Sequence, residues 1–275
     1  MTALLPMMFT VAPNGARLTQ KDHPALPITP QELARCAAQC AEAGAGMIHL
    51  HVRKPDGTHV LDGEGYRDAI AAIRREVLNR IVIQITTEAV GIYKPLEQMA
   101  VVRDVKPEAV SLGLRELLPV DVDEKAFADF WQWMRKEHVW PQIILYDSED
   151  VVRLRDLQKR GVLGGDRLSV LFVLGRYGKQ QADPAELLTF LSAVEDLSSW
   201  DWSVCAFGAR ENGCIAASAC LGGHGRLGYE NNRLLADGTV SRDNAELISQ
   251  AVKTAELVGR RAMNVREIRQ KFMGE

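Results

Sequence analysis

The 275-residue sequence is short of the features that mark membrane, extracellular or nucleic-acid-binding proteins. No apolar run approaches the ~20 residues needed to span a bilayer. Residues 1–8 carry no basic segment and do not read as a signal peptide. Cysteine is sparse and odd in number: Cys36, Cys40, Cys205, Cys214 and Cys220. That excludes a disulfide framework and fits a reducing cytosol, so a cytoplasmic location is expected. Cys36 and Cys40 stand four apart in a helical pattern and read as buried thiols. Neither sign of charge dominates, because 33 basic residues meet 36 acidic ones. This leaves no electrostatic case for nucleic acid or for a polybasic membrane contact. Repeats, low-complexity tracts and Pro/Ser-rich linkers are missing, so one domain over 1–275 is expected. Such a chain can bury a large core without disulfides.

What is present is alternation. Short apolar runs at 7–11, 47–52, 81–85, 109–112, 142–146, 168–174 and 202–207 suit strands buried on both faces of a parallel sheet. Helical stretches separate them. Thr29-Pro30-Gln31-Glu32 places an N-cap before a proline at the first helical position. Leu33 to Ala43 continues at helical spacing, and Gly44 and Gly46 end it. Residues 66–78, 127–137, 149–161, 184–197 and 244–258 repeat the pattern. With an eighth, weaker strand at 224–227, the expected fold is α/β, a TIM (β/α)8 barrel. An open doubly wound sheet is the alternative, but no G-x-G-x-x-G follows the first strand. The glycine-rich run Leu221-Gly222-Gly223-His224-Gly225 comes too late for one.

His49-Leu50-His51 carries the strongest chemical signal. Alternate strand residues face one side, and two imidazoles at a strand's C-terminal end can reach one metal where barrel sites lie. A polar turn follows in Val52-Arg53-Lys54-Pro55-Asp56-Gly57. Two His and a carboxylate form a catalytic zinc set, and Glu230 in Gly228-Tyr229-Glu230-Asn231-Asn232 is either that carboxylate or a solvated loop residue. Arg226, four residues earlier, needs an anionic partner, either a substrate or a structural Glu. Thr86-Thr87-Glu88 closes the third strand, where the hydroxyls either donate to a substrate carboxylate or cap the next helix. In Asn14-Gly15-Ala16-Arg17, Gly15 serves a tight turn, and Arg17 meets either an anionic group or a surface partner. His23, His59 and His138 read as surface or core residues, and His224 is a candidate to line the site.

In order, these segments resemble the β-keto acid cleavage enzyme family. Thr10-Val11-Ala12-Pro13-Asn14-Gly15-Ala16 is similar to its opening strand and turn, and Leu26-Pro27-Ile28-Thr29-Pro30 to its first helix entry. Ala43-Gly44-Ala45-Gly46-Met47-Ile48-His49-Leu50-His51-Val52-Arg53 is close to its most specific segment. Ile83-Gln84-Ile85-Thr86-Thr87, Phe172-Val173-Leu174-Gly175 and Gly222–Asn232 match later strands. The resemblance implies a zinc-containing TIM barrel in which His49, His51 and Glu230 bind Zn²⁺. It implies that Thr86 and Thr87 hold the substrate carboxylate and that Arg226 sits at the reacting centre. Asn14, Arg17 and Asn231 are read as further substrate contacts. The implied partners are a β-keto acid and acetyl-CoA, which exchange to acetoacetate and a new acyl-CoA by Claisen and retro-Claisen steps. A homodimer or homotetramer is implied as well.

The chain also departs from the family pattern. Asn231 stands where the family usually has Asp, and Ile144 where it has an acidic residue on strand 5. Glu88-Ala89 replaces a Gly pair, and Gly113-Leu114-Arg115-Glu116 replaces a polar turn. Arginine is a very poor base unaided, so Glu88 is expected to supply the missing carboxylate, as general base or as partner of Arg226. Arg17 stands where some members carry an acid, and predicts an anionic or neutral substrate tail. Two other classes remain: a zinc hydrolase, and a zinc-retaining barrel that binds a carbonyl acid without turnover.

Overall fold

The buried apolar runs close into a parallel barrel. The computed structural model describes residues 5–119, 123–164, 167–178 and 180–274. Its strands are β1 (Phe9–Val11), β2 (Met47–Leu50), β3 (Val52–Arg53), β4 (His59–Val60), β5 (Val82–Thr86), β6 (Ala109–Gly113), β7 (Trp140–Leu145), β8 (Leu168–Leu174), β9 (Trp200–Ala206) and β10 (His224–Leu227). Eight of them pair in the closed order β1-β10-β9-β8-β7-β6-β5-β2, and every barrel pairing is parallel. Every residue of β2, β5, β6, β8, β9 and β10 is buried. One face of each strand packs on helices and the other fills the barrel, so these runs are not alternating. The molecule is a (β/α)8 TIM barrel.

Helices α1 (Pro30–Glu42), α2 (Gly63–Val77), α3 (Pro95–Val105), α4 (Leu114–Leu117), α5 (Glu124–Lys136), α6 (Ser148–Lys159), α7 (Glu186–Ala193), α8 (Glu211–Leu221), α9 (Asn244–Leu257) and α10 (Val265–Phe272) cover the outside. The α1 start is a full capping box: Thr29 Oγ1 accepts from Glu32 N, and Glu32 Oε2 accepts from Thr29 N. Helices α3, α4, α8 and α10 fall outside the helical stretches expected from the sequence. In α8 the run Gly213-Cys214-Ile215-Ala216-Ala217-Ser218-Ala219-Cys220 has no charged stripe, so helical periodicity is hard to see. Residues 184–197 hold a shorter helix than expected, followed by a 3₁₀ turn at Leu197–Ser199.

The 47–52 run is not one strand. β2 stops at Leu50, and Val52 pairs with Val60 in an antiparallel ribbon whose turn carries Gly57. The expected polar turn is therefore a hairpin, pinned by Thr58 N donating to Asp56 Oδ1. At the opposite end of the barrel, Ile268 of α10 packs with Met8, Met47, Val82, Ala109 and Trp140, which closes that end. His224 lies there, beside Phe272 with 5.6 Å between ring centroids. Its Nδ1 accepts from Met8 N at 3.0 Å, so it does not line the site. Among the described residues, no helix is long and apolar enough to cross a membrane.

Candidate active site

β2 and the residue that follows it deliver two imidazoles, His49 and His51, to the C-terminal mouth. His49 Nε2 and His51 Nε2 stand 3.1 Å apart. Glu230 Oε2 lies 3.6 Å from the first and 3.3 Å from the second. The three ligand atoms all fall within 4.8 Å of one another, in buried residues. Glu230 reaches this point because Glu230 N donates to Ala12 O across the β1–β10 junction, while Tyr177 Oη donates to Glu230 O. Gly15 gives it room: at φ +57° a Cβ there would stand 2.6 Å from Glu230 Cγ. The expected tight turn thus also serves the site.

Register fixes the tautomer of one imidazole. His49 and Gln84 are Cα partners on adjacent strands. Their inward side chains meet, with His49 Nδ1 2.8 Å from Gln84 Oε1. An amide oxygen can only accept, so Nδ1 carries the proton and Nε2 keeps its lone pair. Burial, then the Arg226 charge, holds His49 well below the usual imidazole range. Burial alone would raise Glu230, but Arg226, His49 and His51 outweigh it and keep it a carboxylate. Yet among the described residues Glu230 Oε2 has no donor in hydrogen-bonding geometry, although His51 Nε2 is near. Leaving such an oxygen bare costs about 1–3 kcal/mol or more. Two imidazole nitrogens and an unpartnered carboxylate oxygen match a catalytic zinc donor set, so these residues fit the metal that the sequence implied.

Arg226 on β10 is buried and donates Nη2 to Glu230 Oε1 at 3.0 Å and to Cys205 Sγ at 3.6 Å. Among the described residues its Nε and Nη1 have no hydrogen-bond partner. Despite the burial, Glu230 raises the Arg226 pKa, so it stays a cation. The anion that pairs Arg226 is therefore Glu230, so of the two parts expected of Glu88, general base or partner of Arg226, the second is filled by Glu230. Glu88 instead stands with Oε2 3.8 Å from His51 Nδ1. Burial raises its pKa above the ordinary value.

A cavity of about 220 Å³ joins these groups. Arg17, Thr86, Thr87, Glu88, Arg226 and the metal-type triad all line it. Thr86 Oγ1 accepts from Glu88 N, so its proton remains free to donate. Thr87 Oγ1 gives its proton to Ser111 O, which removes it as the second donor to a carboxylate. Ser111 was not expected; it lines the same cavity, and its buried hydroxyl has no partner among the described residues. Asn14 plays a structural part instead. Its Nδ2 donates to Pro27 O and His51 O, holding the end of β2, and it does not line the cavity. Asn231 lies in the wall of a neighbouring cavity. Arg17 is exposed at the rim, its guanidinium 4.8 Å from the Tyr177 ring centroid. Ile144, Val173 and Phe207 form an apolar wall. His59, expected at the surface or in the core, sits close to the site: its ring lies 5.3 Å from that of His51, and its Nε2 is 3.0 Å from Glu88 O.

Eight parallel strands around two imidazoles, a carboxylate and a buried guanidinium define a (β/α)8 barrel with a candidate metal-dependent active site. The chain belongs to the beta-keto acid cleavage enzyme family, whose model matches residues 6–273. It is 32% identical over 272 residues to the 3-keto-5-aminohexanoate cleavage enzyme of Fusobacterium nucleatum, covering 96% of each chain. It is 27% identical over 270 residues to the 3-oxoadipate:acetyl-CoA acetyltransferase of Cupriavidus necator, covering 96% of this chain and 93% of that one. Among solved structures, a ternary complex of ObcA with a C4-CoA adduct and oxalate aligns at TM-score 0.72 and 15% identity. That alignment covers 90% of this chain and 67% of the other, and at such identity the likeness is one of fold.

Proposed function

We propose that this protein exchanges a β-keto acid and acetyl-CoA for acetoacetate and a new acyl-CoA, with His49, His51 and Glu230 holding zinc. The observation that carries this is the bare Glu230 Oε2 beside two imidazole nitrogens, in a chain of this family. When bound, the ion supplies Lewis-acid polarisation of the substrate carbonyl. Thr86 Oγ1 and Ser111 Oγ are the free hydroxyl donors for the substrate carboxylate. The unpartnered Nε and Nη1 of Arg226 offer fixed donors to the oxygen on which negative charge develops. Arg226 is not the base, because Glu230 stabilises its protonated form. Glu88 takes that role: a carboxylate in the cavity wall, made more basic by burial.

The α-proton of the β-keto acid passes to the Glu88 carboxylate. The α-carbon then bonds to the acetyl carbonyl carbon, and the carbon–sulfur bond of acetyl-CoA breaks. The thiolate bonds to the former keto carbon, the bond from that carbon to the α-carbon breaks, and the electron pair stays on the α-carbon. Glu88 returns the proton, completing acetoacetate and the new acyl-CoA.

The test is incubation of zinc-assayed protein with a panel of β-keto acids and acetyl-CoA, read by mass spectrometry. Acetoacetate and a matching acyl-CoA are expected. Zinc near one ion per chain with no product would overturn the reading; hydrolysis products would then point to a zinc hydrolase, and binding alone to a barrel without this turnover. The same reading carries a cytoplasmic homodimer or homotetramer, which sedimentation and cell fractionation check.

A further inference from the structure

A second, larger cavity of about 660 Å³ adjoins the first. Arg176, Tyr177, Phe207 and Glu230 line both, so the Tyr177–Phe207 pair, with ring centroids 4.3 Å apart, stands between the chambers. Asn231 lines only the outer one. It is 8% exposed, and among the described residues neither its Nδ2 nor its Oδ1 has a hydrogen-bond partner. The contrast with its neighbour is sharp. Asn232 Nδ2 donates to Glu211 Oε2 and Leu234 O, and its Oδ1 accepts from Leu234 N. The Asn231 backbone is pinned as well: its N donates to Gly228 O and its O accepts from Gly208 N. A buried carboxamide with donor and acceptor both bare is a costly arrangement unless a ligand completes it.

The complement of a bare carboxamide is a chain with more than one amide: a trans amide points its N–H and C=O apart, so one amide's N–H meets the carboxamide oxygen and the next amide's C=O meets its nitrogen. The walls suit a flexible chain bearing such a group. Leu18, Leu234 and Val240 are apolar, while Arg233 and Arg176 bring cations. The Asp22 carboxylate is turned away onto Thr19 N and Oγ1. We infer that the outer chamber binds the amide-bearing pantetheine arm of a CoA thioester, with Asn231 reading the arm's two amides and the acyl end reaching the inner chamber past Tyr177 and Phe207. This rests on the proposed use of a CoA thioester for the ligand's identity, though the bare carboxamide and the shared wall stand without it.

The test measures calorimetric Kd for acetyl-CoA and for S-acetylpantetheine, which lacks the nucleotide, on wild type, Asn231→Leu and Val240→Trp. Leucine keeps the volume and removes the hydrogen bonds. Tryptophan at the exposed Val240 fills the outer chamber at a distance from the fold's core. Asn231→Leu is expected to weaken both probes about tenfold, and Val240→Trp to weaken both as well, with zinc content unchanged in each. If wild type turns over but both variants bind the probes as wild type does, the inference falls and the functional reading stands. If the probes bind wild type, weaken in both variants, and no turnover is found, the chamber assignment stands and the functional reading falls. If wild type binds neither probe, the inference is overturned.

Discussion

His49 Nδ1 lies 2.8 Å from Gln84 Oε1, and this contact is the first link of a relay through the barrel interior. Gln84 Nε2 donates to Gln142 Oε1, and Gln142 Nε2 faces the hydroxyls of Ser169 and Ser203. The relay orients the Gln84 amide, and the amide orients the imidazole. Gln84→Leu is expected to lower zinc affinity by about 10–100-fold, measured by competition with a chromogenic chelator. Wild-type affinity in that variant would show that the relay positions nothing.

Glu230 serves both the metal set and Arg226. Glu230→Gln removes the negative charge that pairs a buried guanidinium. Breaking a buried pair by removing one partner costs about 3–5 kcal/mol. Urea denaturation of the metal-free variant is expected to show a loss of that order, together with poor zinc retention. Unchanged stability would mean that Arg226 finds another partner.

Glu88 is assigned the proton. Glu88→Gln is close in shape and cannot accept it, so kcat is expected to fall about 10²–10⁴-fold with zinc still bound. Full turnover in this variant would remove Glu88 from the mechanism.

Charge at the cavity rim bears on the substrate tail. Glu88 and Glu116 also line the cavity, but Glu88 is assigned to the reacting proton and Glu116 Oε2 already accepts from Ala89 N and Gln98 Nε2, which leaves Arg17 as the charge at the rim. Arg17 brings a guanidinium to that rim. A dicarboxylic or neutral β-keto acid is therefore expected to show higher kcat/KM than an amino-substituted one, with Arg17→Glu reversing the order. Preference of the wild type for the amine would contradict this.

His224 sets a pH dependence remote from the site. Burial first, then Lys271 and Arg260, lower its pKa from 6.5 to about 3. The unfolded chain therefore takes a proton near pH 6.5 that the folded chain refuses until about pH 3. The stability it allows is complete above pH 6.5 and falls as the pH drops through that window. One proton is worth about 1.4 kcal/mol per pH unit. His224→Asn keeps an acceptor for Met8 N without titrating, so its stability is expected to fall less between pH 7 and pH 5. Parallel curves would refute the assignment.

Part of this was legible in the sequence. Apolar runs alternating with capped helices specify a parallel α/β barrel, because strands buried on both faces cannot alternate. His49 and His51 share a face through strand periodicity, and the capping box from Thr29 to Glu32 shows in the residues themselves. Other features were local signals that hydropathy alone does not weigh. Gln84 and Ser111 are polar residues inside apolar strands, on inward faces where they needed a partner or a ligand. What no spacing could tell was which residues meet across the barrel. Glu230 lies 181 positions from His49 in number, and only closure of β10 onto β1 and β1 onto β2 brings it within 3.6 Å. The same closure pairs Arg226 with Glu230 rather than Glu88, commits the Thr87 proton to Ser111 O, and turns Asn231 into the outer chamber. Residue chemistry and periodicity are properties of the chain, whereas partnership is set by register and closure, which exist only once the barrel has formed.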